Sequence, residues 1–289
     1  MMCDVMFDEL SGPRTPAAIR AKRRRKFFFA LCVFIILTAA LVYAAVSSRY
    51  VSAPGEKVYT YGSVTIDYSN AADGYVAVKH KPLGKKIKLR IQTGNHMDTY
   101  DLPDDNEYVY FPLQYGKATY NVSIYTNVGG NRYAAECTKG FFADISDVNS
   151  CYLYPNQRAN YNENSALVAK AAELCEGKDT DLEKIAAIYN YVRDNVKYDY
   201  IFALNVQTGY LPDPDATLAS GKGICYDMAS LLTAMLRSQG FYTKLVTGTL
   251  NNNQTHAWNK VLVDGKWKML DPTNGSKYKS SAYEEAATF

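Results

Sequence analysis

Gly221-Lys222-Gly223-Ile224-Cys225-Tyr226-Asp227 leads into Met228, Leu231, Leu232, Met235 and Leu236, apolar residues at helical spacing, and then Gly240. This period predicts a helix over residues 225–239, with Gly240 just past its C-cap. Cys225 then stands in the first turn, where unpaired backbone N–H groups and the positive end of the helix dipole favour an anion. The two glycines before it permit a tight, crowded turn into the helix. A lone cysteine at a helix start is also what a small buried apolar residue looks like, so its meaning depends on its partners.

Two such partners lie downstream. Residues 255–263 and 266–271 read as strands joined by Asp264-Gly265, the strongest short signal for a two-residue hairpin turn. A type I′ turn sets Val263 opposite Lys266, Leu262 opposite Trp267, Lys260 opposite Met269, Trp258 opposite Asp271 and His256 opposite Thr273. His256 and Asp271 become diagonal neighbours on one face, roughly 7–8 Å apart at Cα and within side-chain reach. A carboxylate there can fix the imidazole tautomer while the other ring nitrogen faces a thiol. Cysteine, histidine and aspartate in this order make a nucleophile, its base and the orienter of the base.

The blocks Gly-Ile-Cys-Tyr-Asp (223–227), His-Ala-Trp-Asn (256–259) and Asp-Pro-Thr (271–273), in this order, resemble the core of the transglutaminase-like superfamily, over roughly residues 159–276. The resemblance implies a papain-like α+β fold, with Cys225 as nucleophile, His256 as general base and acid, and Asp271 as orienter. It also implies acyl transfer from a glutamine or other amide carbonyl through a thioester to an amine or to water. In this family an aromatic residue upstream of the nucleophile can help hold the oxyanion, and Tyr198 is the candidate, with the Cys225 backbone N–H as second donor. An ordinary packed tyrosine is the competing reading of Tyr198.

The net charge of +3 conceals a segregation. Residues 1–26 carry seven Lys or Arg against Asp4, Asp8 and Glu9, a net +4, which leaves −1 for the remainder. The main body therefore offers no nucleic-acid surface. Residues 27–46 are uncharged, twenty in a row, enough to span a bilayer as a helix. The run exceeds a signal-peptide core and follows a long leader, which favours an uncleaved anchor over the cleaved alternative. Basic residues before it place residues 1–26 in the cytosol and the rest outside the cytoplasmic membrane.

After a tether over residues 47–56, residues 57–146 show short alternating runs at 64–68, 75–79, 87–91, 108–111, 119–126 and 132–137, separated by turn residues. This predicts an antiparallel β-sandwich of immunoglobulin-like type. Tyr115-Gly116 leading into residues 119–124 resembles the corner and strand near the end of such a domain. His80 and His96 read as surface polar residues, since neither has a companion at metal-ligand spacing.

A linker over 147–160 precedes the transglutaminase-like domain at 161–289. Residues 166–175 form one predicted helix, capped by Asn164 or Ser165. Leu182, Ile185, Tyr189, Val192 and Val196 mark a second, with Asp181 as N-cap. Residues 201–220 have no clear period and are a candidate rim of the substrate cleft.

Cys137, Cys151, Cys175 and Cys225 fall beyond the membrane segment. Reserving Cys225 leaves an odd number, against a disulfide-built scaffold, and Cys137 with Cys151 would close the shortest loop. A zinc site of Cys225 and His256, with Asp271 as third ligand, is the chemical rival to the triad. The absence of a Cys-x-x-Cys pair or a second nearby histidine counts against it. No nucleotide or calcium loop is visible, so no cofactor is expected. The expected partner is a protein or peptide substrate, or a cell-wall component. The competing function is a non-catalytic binding or assembly module of the cell envelope.

Overall fold

The computed structural model describes residues 26–35, 38, 50–275 and 279–289, and divides into two units, residues 1–48 and 49–289. In the first, residues 26–35 are helical. Half of the expected spanning segment (36, 37 and 39–46), residues 1–25 of its tail and residues 47–49 of its tether lie outside the described residues. Among those described, no helix is long and apolar enough to cross a membrane.

The second unit opens with eight strands: β1 (Val58–Tyr61), β2 (Val64–Asp67), β3 (Tyr75–His80), β4 (Ile87–Thr93), β5 (His96–Leu102), β6 (Val109–Pro112), β7 (Ala118–Gly129) and β8 (Arg132–Ala143). They form two antiparallel four-stranded sheets, ordered β1-β2-β3-β6 and β5-β4-β7-β8. The alternation in β4 shows why these residues are strands: Ile87, Leu89 and Ile91 face inward while Lys88, Arg90 and Gln92 face out. Ile66, Val78 and Phe111 of one sheet share a buried core with Leu89, Val122 and Ile124 of the other. The Tyr120 hydroxyl donates to Gly116 O (2.9 Å) and accepts from the Tyr115 N–H (3.0 Å). β1 and β5 have no counterpart among the predicted runs. Both are sheet edges, where few side chains must face a core and the alternation fades.

His80 corrects one expectation. It is fully buried, with Nδ1 2.6 Å from Lys81 O and Nε2 3.1 Å from Glu136 Oε2, because β8 lays the Glu136 side chain over it. His96 is exposed and stacks on the Tyr115 ring, centroids 4.3 Å apart.

The rest of the unit contains α1 (Ala166–Cys175), α2 (Asp181–Asn195), β9 (Lys197–Tyr198), α3 (Tyr200–Asn205), α4 (Pro214–Ser220), β10 (Lys222–Gly223), α5 (Cys225–Ser238), β11 (Thr243–Leu250), β12 (Thr255–Val263), β13 (Lys266–Leu270) and β14 (Tyr283–Thr288). The last four strands form an antiparallel sheet in the order β13-β12-β11-β14. α2 is capped one residue earlier than expected: Thr180 Oγ1 accepts from Glu183 N while Glu183 reaches back to Thr180 N, a capping box. α3 and α4 occupy the stretch expected to be irregular, each too short for a period to be legible.

α5 organises this half. Helices pack on one side of it and strands β11 and β12 on the other, so twelve of its fourteen residues are buried. A helix apolar or small on every face belongs in such a place. Asn259 on β12 pins it, its amide donating to Ala229 O (2.9 Å) and Thr233 Oγ1 (2.7 Å). Cys137, Cys151 and Cys175 are free thiols, which excludes the Cys137–Cys151 pairing.

Arg237, fully buried near the end of α5, donates to three main-chain oxygens: Thr243 (2.9 Å), Tyr154 (2.7 Å) and Phe289 (2.7 Å). It thereby ties α5 to β11, to the segment joining the sandwich and to the strand end after β14. Methionine fills similar volume yet makes none of these three hydrogen bonds, and among the described residues only Phe289 O keeps a second donor, Leu245 N. Arg237→Met is expected to cost about 3–5 kcal/mol in urea unfolding; an unchanged midpoint would show that the guanidinium only fills space.

Candidate active site

The buried body of α5 leaves only its head accessible. Cys225 and Tyr226 are partly exposed, whereas every later residue of the helix is buried. The approach to that head is over-determined. Ile224 N donates to Asp227 Oδ2 (2.8 Å), and the other carboxylate oxygen accepts from the Tyr210 hydroxyl (2.6 Å). A Cβ on Gly223 would come within 2.6 Å of the Asp227 Cβ, so only glycine lets the chain turn this closely into the helix.

β9 and β10 pair in parallel, Tyr198 beside Gly223, through Lys197 N to Gly221 O and Asp199 N to Gly223 O, both 2.9 Å. This brings Tyr198 alongside the nucleophile loop. Burial, followed by the charge on the Cys225 sulfur, pushes the phenol above its usual range.

On the other side, the hairpin turn has positive φ at Asp264 (51°) and Gly265 (70°), the type I′ form. The register follows as far as Asn259 opposite Leu270. There the ladder stops: Asp271 leaves the strand and begins a turn, so neither Trp258–Asp271 nor His256–Thr273 is a strand pair. Asp271 Oδ1 accepts from Thr273 N (2.9 Å) and Asn274 N (3.0 Å), and the Gly275 N–H closes the turn on Asp271 O. The aspartate thus folds its carboxylate back toward the sheet, and His256 Nε2 meets Oδ2 at 2.8 Å. His256 and Asp271 are 3% and 2% exposed, which removes the water that would weaken this bond.

With Nε2 bonded to the carboxylate, Nδ1 is the ring nitrogen left for the thiol, and Cys225 is near enough to help raise the imidazole pKa. The Asn274 amide nitrogen lies 3.1 Å from Nε2 and 3.2 Å from Asp271 Oδ2; since Nε2 carries the proton, it is the carboxylate that accepts. Because imidazole and carboxylate bond each other directly, they do not converge as two ligands on a shared ion, and no metal-binding cluster occurs among the described residues.

Two supporting residues escaped the sequence reading. Tyr283 of β14 donates to Asp271 Oδ2 at 2.7 Å and packs edge-on against Trp258, which stacks behind His256. β14 reaches this position because its pairing with β11 shifts register between Thr247 and Gly248, where any side chain would strike the Glu284 carbonyl and the Trp258 ring. No local pattern marks Tyr283. Asn274 was legible in principle, since Asp-Pro-Thr-Asn-Gly is turn chemistry.

Burial by itself would lower the His256 pKa, but the bond to Asp271 and the nearby Cys225 sulfur outweigh it and raise it to about 9. Burial likewise opposes ionisation of Asp271, yet His256 and the other donors hold its carboxyl below the usual carboxylate value. The histidine is stabilising below its ordinary 6.5 and loses this as pH rises through about 9. The aspartate is stabilising above its ordinary 3.8 and loses this as pH falls through its lowered folded value. The Tm difference between the wild type and His256→Gln is therefore expected to be widest from pH 3.8 to 6.5 and to narrow toward 9; a difference that grows with alkalinity would reverse the assignment.

A cleft of about 540 Å³ opens over His256, walled by Tyr198, Tyr200, Ala203 and Leu204 on one side and by Gln254, Thr273 and Asn274 on the other. Of the stretch expected to form a rim, α3 alone supplies lining residues; α4 packs on α5 instead. Residues 168–272, which span all three chemical groups, match the family model described as the transglutaminase-like superfamily.

Residues 168–272 of this chain thus form a domain of the transglutaminase-like superfamily. The chain is 26% identical over 149 residues to kyphoscoliosis peptidase of Homo sapiens, covering 48% of this chain and 22% of that protein. The mouse (Mus musculus) kyphoscoliosis peptidase is 27% identical over 123 residues, covering 39% and 18%. The chain thus spans about a fifth of the length of these curated relatives. Among solved structures, a Cytophaga hutchinsonii protein proposed to be a cysteine protease aligns with TM-score 0.43 and 14% identity over 75% of this chain and 79% of that one. Red sea bream transglutaminase aligns with TM-score 0.30 and 10% identity over 74% and 49%. Within this transglutaminase-like domain, Tyr198 and His256 line the cleft and Asp271 is bonded to His256 behind it.

Proposed function

We propose that this chain is a thiol-dependent acyltransferase or hydrolase acting on amide bonds of proteins or peptides. The observation that carries the reading is the buried His256–Asp271 bond at a cleft, with the Cys225 sulfur close enough to act on the imidazole. His256 Nδ1 takes the thiol proton, and the sulfur attacks the amide carbonyl, forming a C–S bond. Tyr198 and the Cys225 backbone N–H, one of the helix's orphan donors, hold the developing oxyanion. The imidazolium then protonates the departing nitrogen, leaving a thioester. An amine or water, deprotonated by the same imidazole, attacks the thioester and releases the sulfur. The names of the peptidase relatives support a protein or peptide substrate.

The test is mass spectrometry of a library of peptide amides and amines incubated with the protein, reading deamidation, amine coupling with loss of ammonia, or cleavage. Any of the three supports the reading and identifies the acyl acceptor. No product, together with iodoacetamide labelling of Cys225 that His256→Ala leaves unchanged, would assign the domain to the assembly-module class instead.

The preceding sandwich is an immunoglobulin-type spacer in this proposal, supported by its two-sheet core and the Tyr120 corner. Membrane tethering through residues 27–46, with the cleft outside the cytoplasm, is supported by the uncharged run and the basic cluster before it. Protease accessibility of the domain on intact cells tests that placement.

A further inference from the structure

α3 is unusual in burying none of its residues. Tyr200, Ile201 and Leu204 are 75%, 79% and 86% exposed, although each is large and apolar or aromatic. The helix is nevertheless fixed in place. Asp199 caps it through Phe202 N (2.9 Å) and is itself tied to Gly223 O. Phe202 packs edge-on against Tyr210, whose hydroxyl holds Asp227 at the head of α5. The exposed side chains therefore stand at a set position beside the nucleophile.

Helical spacing puts Tyr200, Ala203 and Leu204 on one face, and these three are the α3 residues that line the cleft, opposite Thr273 and Asn274. Ile201 projects from a different face and does not line it. On the lining face a small residue sits between two large ones. None of the cleft's lining residues is Asp, Glu, Lys or Arg; its one cationic group is His256, which is not part of α3. A wall that is apolar, uncharged and uncovered by the rest of the chain gains from contact with another apolar group and penalises a charge pressed against it.

We propose that this face of α3 receives a bulky apolar side chain adjacent in sequence to the reacting amide residue of a polypeptide substrate. The inference rests on the function proposed above and narrows its substrate class: peptides with Leu-like neighbours are selected over those with acidic ones.

The test labels Cys225 in the full chain with two peptide chloromethyl ketones, acetyl-Leu-Gly and acetyl-Asp-Gly. In these the glycine carbonyl stands for the reacting carbonyl, and the sulfur displaces chloride. Each rate is divided by the iodoacetamide rate of the same variant. The Leu probe is expected to react about tenfold faster than the Asp probe, the low end for one apolar group in an open pocket. Leu204→Ser should bring the ratio to within about twofold, while Ile201→Ser, equally exposed but off the wall, should keep it. Equal rates in the wild type, or an unchanged ratio in Leu204→Ser, would overturn the inference. So would an unselective cleft with phosphatidylglycerol-vesicle binding weakened equally by Ile201→Ser and Leu204→Ser, which would assign α3 to a lipid surface. The function itself fails on a separate reading, the insensitivity of iodoacetamide labelling to His256→Ala.

Discussion

Cys225→Ala is expected to abolish amide turnover, a loss on the order of 10⁶ in kcat, with Tm and the unfolding midpoint unchanged. The size follows from the chemistry. Without sulfur there is no thioester, and the imidazole has no nucleophile to activate, so the remaining donors at the head of α5 can only bind the carbonyl. Folding should survive for a structural reason. The sulfur lies at the accessible head of the helix, outside the twelve buried positions, and alanine is the best helix former. Retention of product formation by the alanine variant would remove Cys225 from the reaction; a collapsed Tm would mean that the thiol belongs to the core.

Asp271→Asn is expected to keep the fold and lose about 10⁴ in kcat, the scale seen when a triad base is held in the wrong tautomer. The surroundings dictate that outcome. The Oδ1 position accepts two main-chain N–H groups, Thr273 and Asn274, so the single oxygen of an asparagine must occupy it. The new NH₂ then faces His256 Nε2 and the Tyr283 hydroxyl, where Asp271 has an acceptor. Nε2 must become the acceptor, its proton moves to Nδ1, and the nitrogen meant to take the thiol proton is already occupied. The raised pKa of His256 also owes much to this carboxylate, so the alkaline limb of the variant's pH–rate profile should move to lower pH. Undiminished activity would remove Asp271 from the mechanism.

The contrast between His256 and Tyr283 shows why part of this site was legible and part was not. His256 and Asp271 are joined by a two-residue turn whose dihedral requirements only Asp-Gly and a few similar pairs satisfy, so their meeting is a local consequence of sequence. The hairpin register failed only at its last pairs, where Asp271 turns off the strand to serve its own backbone donors. Tyr283 arrives from a strand paired across the sheet through a bulge at Gly248, and no spacing in the chain announces such a contact. His80 failed for a related reason: Glu136 covers it from a strand fifty-six residues away. The edge strands β1 and β5 and the one-turn helix α3 were missed because short or half-exposed elements carry too few buried positions to show a period.

The sequence by itself determined the helix that carries Cys225, the turn that aligns His256 with Asp271, the pattern of the sandwich strands and the order of the three chemical blocks. All of these depend on residues within a few turns or one hairpin of each other, where sterics and hydrogen bonding act locally. The tertiary structure alone decided that Tyr198 pairs beside the nucleophile loop, that Tyr283 supports the carboxylate, that Arg237 binds three distant segments, and that α3 turns an uncovered apolar face into the cleft. Each of those depends on long-range packing, in which the partner is chosen by the shape of the whole core.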